Sequence, residues 1–269
     1  SLIELKEKWC YDTENLKKIT VSPLNKHFMM IEDKYLVGKS DENKDEFDVL
    51  LFARRDIEEI SIPSNIRMIS SHAFENCSDL ARIDIASDSK LETIGEHAFS
   101  SSGIKEIYLP SKVSKICEYA FSDCPSLTKI DIPANSCLQT IETGAFNYSK
   151  IEEIYLPESL KELKDRWCQN TENLTKITIS PANDHFILKE DKYLLKKSDQ
   201  SNGEFDALVF ACRGIKEIII PSQVSIICRD SFSYCTSLAR VEFTANSNLK
   251  RIEAFAFAHS GIKEITIPS

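Results

Sequence analysis

Glycine and proline are scarce in this chain of 269 residues, seven and nine respectively, which excludes a collagen-like or low-complexity linker protein. No stretch approaches the roughly eighteen consecutive apolar residues of a membrane helix, so no membrane insertion by this segment is expected. Basic charge is in deficit: 33 Lys and Arg against 42 Asp and Glu leave a net charge of −9. Nucleic-acid grooves are built from clustered Lys and Arg, so a nucleic-acid partner is not expected. The opening run Ser1-Leu2-Ile3-Glu4-Leu5-Lys6 lacks the basic-then-apolar order of a secretion signal.

Chemical signatures are missing as well. There is no Gly-x-Ser-x-Gly, phosphate-binding loop or Cys-His-acid pattern, so no catalytic residues are assigned and no enzyme is expected. The nine cysteines contain no Cys-x-x-Cys pair, which removes the usual structural zinc site. His27, His72, His97, His185 and His259 show no ligand spacing. His72 and His97 fall one repeat apart, but two imidazoles without a third ligand do not make a metal site. The acidic run Asp41 to Glu46 lacks the central Gly and closing Glu of a calcium loop, and Lys44 within it opposes a cation. Neither a metal nor a cofactor is expected.

What is present is self-similarity. Residues 1 to 111 and 159 to 269 align without a gap at an offset of 158: Trp9 returns as Trp167, Pro23 as Pro181, Tyr35 as Tyr193, Phe74 as Phe232 and Pro110 as Pro268. The chain therefore reads as one solenoid, 1–269, with an internal duplication of 1–158 by 159–269, and as a segment of a longer protein. A shorter period of 23 or 24 residues runs inside each block. Ten copies of an apolar-x-x-apolar-x-apolar phrase begin at Leu16, Ile57, Leu80, Ile104, Leu127, Ile151, Leu174, Ile215, Leu238 and Ile262. After most of them comes a second apolar run and then an Ala-Phe pair, as at Phe74, Phe99, Phe121 and Phe146; Trp9 and Trp167 stand in that place in their copies.

Residues Leu127 to Leu138, with Asn135, and Leu238 to Leu249, with Asn246, resemble leucine-rich repeats. The Ile-Pro-Ser, Ile-x-x-x-Ala-Phe and Cys-x-Ser-Leu phrases resemble the BspA-like branch of those repeats, found on bacterial and protozoan surfaces. The resemblance implies a mostly β member of the α/β leucine-rich-repeat solenoids, with a parallel sheet on one face and short strands or helical turns on the other. It also implies a cell-surface or extracellular setting and adhesion to host, matrix or microbial proteins. Two intervals of 41 residues break the period, Val21 to Ile62 and Ile179 to Ile220. They predict protruding β-hairpin inserts at about 24–53 and 182–211, the second turning across Ser201-Asn202-Gly203. The repeats from Ile104 and Ile151 lack the asparagine, so an unbroken asparagine ladder is not expected.

Each strand presents two outward columns. The first reads Lys18, Glu59, Arg82, Glu106, Lys129, Glu153, Lys176, Glu217, Arg240, Glu264, alternating in sign without exception. Side by side on parallel strands, these charges predict attraction that fixes register. The second column obeys no charge rule, and its central residues Asp84, Tyr108, Asp131 and Tyr155 form the aromatic-acidic patch where a partner protein would bind. Cys77, Cys124 and Cys235 recur at one repeat position. Cys77 and Cys124 stand two repeats and therefore about 10 Å apart, beyond disulfide reach, so the cysteines read as small packing residues. Sequons occur at Asn76, Asn147 and Asn173. The expected function is surface recognition or adhesion; an intracellular scaffold is the alternative, and an enzyme assembled across repeats the remote one.

Overall fold

Apolar residues two apart, such as Ile60 and Ile62 or Ile154 and Leu156, bury one side of a short strand and leave the other in water. In the computed structural model, which describes residues 2–6, 8–43, 45–199 and 203–268, these strands stack into a solenoid with no helix among the described residues. Lys44, Ser201 and Asn202, named above in the two turns, lie outside the described residues.

The chain begins its regular structure with an antiparallel meander, β1 (Phe28–Ile31), β2 (Tyr35–Gly38) and β3 (Val49–Ala53). It then alternates between two sides. On one lie β4 (Glu59–Ile62), β6 (Arg82–Ile85), β8 (Glu106–Tyr108), β10 (Lys129–Asp131), β12 (Glu153–Leu156) and β14 (Lys176–Ile179). On the other lie β5 (Met68–Ile69), β7 (Thr93–Ile94), β9 (Lys115–Ile116), β11 (Thr140–Ile141) and β13 (Glu162–Leu163). A second meander, β15 (Phe186–Lys189), β16 (Tyr193–Lys197) and β17 (Phe205–Ala211), precedes the last coils. These place β18 (Glu217–Ile220), β20 (Arg240–Phe243) and β22 (Glu264–Ile265) on the first side, with β19 (Ile226–Ile227) and β21 (Arg251–Ile252) opposite.

Two expectations are corrected. The first side holds nine strands among the described residues rather than ten, because Leu16 to Val21, with Lys18, form none. The reason lies in pairing: the equivalent strand β14 pairs only with β12 of the preceding coil, and no strand among the described residues offers that edge to residues 16–21. The inserts do contain antiparallel pairs at the expected strands, β2 with β3 and β16 with β17, but they are more than hairpins. Each has three strands, and its last strand joins the second side in parallel register, Val49 against Met68 and Ala207 against Ile226. The extra strands were not visible in sequence because Phe28-Met29-Met30-Ile31 is a short apolar run without alternation.

The interior is a file of aromatic rings. Phe74, Phe99, Phe121 and Phe146 stack at 4.8, 5.2 and 5.6 Å between centroids, and Trp167 continues the file edge-on at 6.3 Å. The Ala before each Phe is buried, which lets successive turns approach closely. The turns are stitched by every second amide: His72, Phe74 and Asn76 donate to the carbonyls of Glu96, Ala98 and Ser100 in the next coil. Amides can point along the stack this way because His72 and Asn76 adopt φ of 60° and 59°, and the pattern repeats at His97 and Ser101 and at Tyr119 and Asp123. Each such left-handed residue costs about 1 kcal/mol or more, which the repeated inter-coil bonds offset.

All nine cysteines are free thiols, six of them buried and only Cys137 exposed. Burial pushes the Cys77 and Cys124 thiols up to about 11 and Cys168 up to about 12, so they pack rather than react. A thiol reagent at neutral pH should label one cysteine rapidly in the native protein and nine after denaturation. Rapid native labelling of Cys77 or Cys124 would show that the turns are open.

Candidate recognition surface

The two outward columns lie on the first side. Parallel register sets Glu59 beside Arg82, Lys129 beside both Glu106 and Glu153, Glu153 beside Lys176, and Arg240 beside Glu217 and Glu264. The sideways attraction is realised once: Lys176 Nζ reaches Glu153 at 2.7 Å. Three other cations turn along their own strand to the second column, Arg82 to Asp84 at 3.1 Å, Lys129 to Asp131 at 2.8 Å and Arg240 to Glu242 at 2.9 Å. Residues two apart share a face of one strand, so an acid there competes directly with the neighbouring rung. All these pairs are solvent-exposed, and their contribution to stability is small.

Tyr108, Asp131 and Tyr155 sit on the continuous sheet β8-β10-β12-β14, with Tyr108 directly opposite Asp131. Asp84 belongs to the separate pair β4-β6. Tyr108 is 38% exposed, whereas Tyr155 leans onto the core. Asp84 and Asp131 are neutralised by their own strands, so the patch is an aromatic surface among paired charges rather than an acidic one. Ile219, in the same column on β18, is 59% exposed and adds an apolar contact outside the patch.

On the turn side, His72 and His97 do meet, stacked at 5.1 Å, and Tyr119 stacks on His97 at 5.0 Å. Glu75 lies 3.1 Å from His72. No group of three potential metal ligands occurs among the described residues. Burial and the neighbouring His72 hold the His97 imidazole below its ordinary value. Asn147 is buried and its side chain accepts the Gln169 amide, while Asn173 is exposed. Asn135 and Asn246 are exposed, so they build no interior ladder. A single buried asparagine, Asn183, bridges two coils: its amide donates to the Pro157 and Leu160 carbonyls and its carbonyl accepts from His185 and Phe186.

Sequence reasoning missed a pair of clefts on the second side. One, of about 640 Å³, lies between Leu5, Lys6, Lys8 and Trp9 and the first meander; its floor includes Val49, Leu51 and Met68. The other, of about 310 Å³, lies between residues 163–167 and the second meander. The two are related by the 158-residue offset: Lys6, Lys8, Trp9 and Ser40 in the first become Lys164, Arg166, Trp167 and Ser198 in the second. Their walls come from segments about 20 to 30 or more residues apart, and only the doubled offset hints at them in sequence.

The profile of the BspA type leucine-rich-repeat region matches residues 45–175 and 204–269 in six copies. The chain belongs to the BspA-type leucine-rich-repeat family. Among solved structures it is similar to the pneumococcal vaccine antigen PcpA, at 26% identity and a TM-score of 0.72, over 81% of this chain and 52% of that one. This BspA-type chain therefore spans about half the length of that antigen. A leucine-rich-repeat protein of Eubacterium ventriosum shares the fold at 22% identity and a TM-score of 0.65, over 84% of this chain and 62% of that one. So does a leucine-rich cell surface protein of Faecalibacterium prausnitzii, at 18% and 0.55, over 82% and 69%. No curated protein sequence matches the chain.

Proposed function

We propose that this BspA-type chain is a cell-surface or secreted recognition module, without catalytic activity, that adheres to a host, matrix or microbial protein through its strand face, with the inserts as a second contact. The carrying observation is the open strand face itself, where Tyr108 stands exposed among paired charges on a continuous parallel sheet. A broad face with an aromatic centre and a charged surround suits a protein surface better than a small molecule. The similarity to a pneumococcal vaccine antigen and to a cell surface protein supports the location. An intracellular scaffold using the same face is the second reading, favoured by the nine unpaired thiols.

The purified chain, immobilised and exposed to surface proteins of host or neighbouring microbial cells, should retain a partner. Replacing Tyr108 and Tyr155 by Ala should weaken that capture about tenfold or more, as for central aromatic anchors, with the unfolding transition of the Tyr108→Ala single variant unchanged. Undiminished capture by the double variant would move the contact to the inserts or the turn face.

A further inference from the structure

The two clefts have diverged in charge. In the first, four cations face three acids, Glu96, Glu118 and Glu142. The second has gained Lys196, Arg229 and Arg251 where the first block carries Gly38, Ser71 and Thr93. It runs beside a further depression of about 430 Å³ that shares Lys164 and Lys196 with it and adds Lys161 and Lys197. Together the two hollows are lined by seven cations and three acids, in a chain of net charge −9.

The cations are held in place. Lys164 is paired with Glu162 at 2.7 Å, Arg251 with Glu253 at 3.0 Å, and Arg166 with the buried Asp230 at 3.2 Å. The guanidinium groups of Arg166 and Arg229 both lie against the ring of Phe255, at 5.5 and 5.4 Å. Lys161, Lys196, Lys197 and Arg229 line the hollows and form no salt bridge among the described residues, with Lys197 over the Phe205 ring at 5.0 Å, so no carboxylate there neutralises them. A planar, anchored guanidinium recognises sulfate and carboxylate oxygens in pairs, and loses little freedom in doing so.

We infer that the boundary between the two blocks is a binding site for an anionic glycan, a chain carrying repeated sulfate or carboxylate groups laid along the two hollows from Arg251 to Lys161. The adjoining hollows suit an extended polyanion rather than a single ion. A single-stranded nucleic acid would need free exposed rings for base stacking; Trp167 and Phe186, which line these hollows, are 4% and 2% exposed, and the exposed ring of Phe255 is already faced by the Arg166 and Arg229 guanidinium groups. The site lies on the opposite side of the solenoid from the proposed protein-binding face, so either can fail alone.

The test uses the intact chain with heparin, hyaluronan and an oligo-dT strand as probes. Heparin should bind, with affinity falling steeply as salt rises; hyaluronan binding as well would show that carboxylates suffice. Arg229→Ser with Arg251→Thr, which installs the first block's own residues, should weaken heparin binding about tenfold, the scale of one or two lost charge-assisted contacts. Lys6→Ala with Lys8→Ala in the first cleft should leave it unchanged, and both double variants should unfold like the parent. Unaltered heparin affinity in the Arg variant, no heparin binding at all, or oligo-dT bound as tightly as heparin would overturn the assignment.

Discussion

Phe99→Ala should destabilise the protein by about 3–5 kcal/mol, the range for a buried Phe whose cavity cannot collapse. Phe99 is fully buried and stacks on both sides, against Phe74 and Phe121, with interplanar angles of 2° and 3°. Its backbone carbonyl also accepts from the Cys124 thiol at 3.1 Å. Collapse is resisted because the spacing of the turns is set by inter-coil backbone bonds, Phe74 to Ala98 and Phe99 to Ala120, each at 2.7 Å. In a solenoid each coil is stabilised mainly by its neighbours, so one missing ring weakens two interfaces. Phe257 stacks on one side only, against Phe232, and is partly exposed. Its replacement by Ala should cost markedly less. Denaturant unfolding of the two variants checks this, and equal losses would mean that the file of rings is not what ties the coils together.

Asn183→Ala is the second large effect, at about 2–4 kcal/mol, because it strands buried polar groups that each cost about 1–3 kcal/mol when unpaired. The side chain joins two coils: its amide donates at 2.8 Å to Pro157 and 2.9 Å to Leu160, and its oxygen receives the amides that open the second meander. The equivalent Asn25 keeps the two amide contacts, to His27 and Phe28, but reaches only the exposed Leu2 carbonyl. Asn25→Ala should therefore cost less than half as much. Hydrogen exchange resolves the difference locally: residues 186–211 should lose protection in Asn183→Ala while β8 to β12 keep theirs. Retained protection of 186–211 would show that the meander is held by its strand pairing alone.

Much of the solenoid was legible because its physics is one-dimensional. Ile60 and Ile62, or Phe99 and Phe121, announce their position by period, and any coil that repeats the period must bury the same face. What the period does not encode is pairing at the ends and competition within a face. Lys18 carries the ladder sequence but lies in no strand, whereas its equivalent Lys176 is held by the pairing of β14 with β12. Lys129 alternates in sign with Glu106 and Glu153 yet turns to Asp131, a closer partner along its own strand. Asn183 and the clefts were hidden for another reason: Asn183 reaches back from the start of an insert to the preceding coil, the clefts join an insert to coils before and after it, and a net charge of −9 averages away a local cluster such as Arg166, Lys196 and Arg229. Of the proposed recognition patch, the column could be read, but the exposure of Tyr108 against the half-buried Tyr155 needed the packing of the coils.

The central claim, that this BspA-type stack presents its strand face outside the cell, is tested most directly by labelling intact cells that make the protein with an antibody raised against residues 1–269. The account predicts labelling without permeabilisation. Labelling that appears only after the membrane is opened would contradict it and leave the intracellular scaffold.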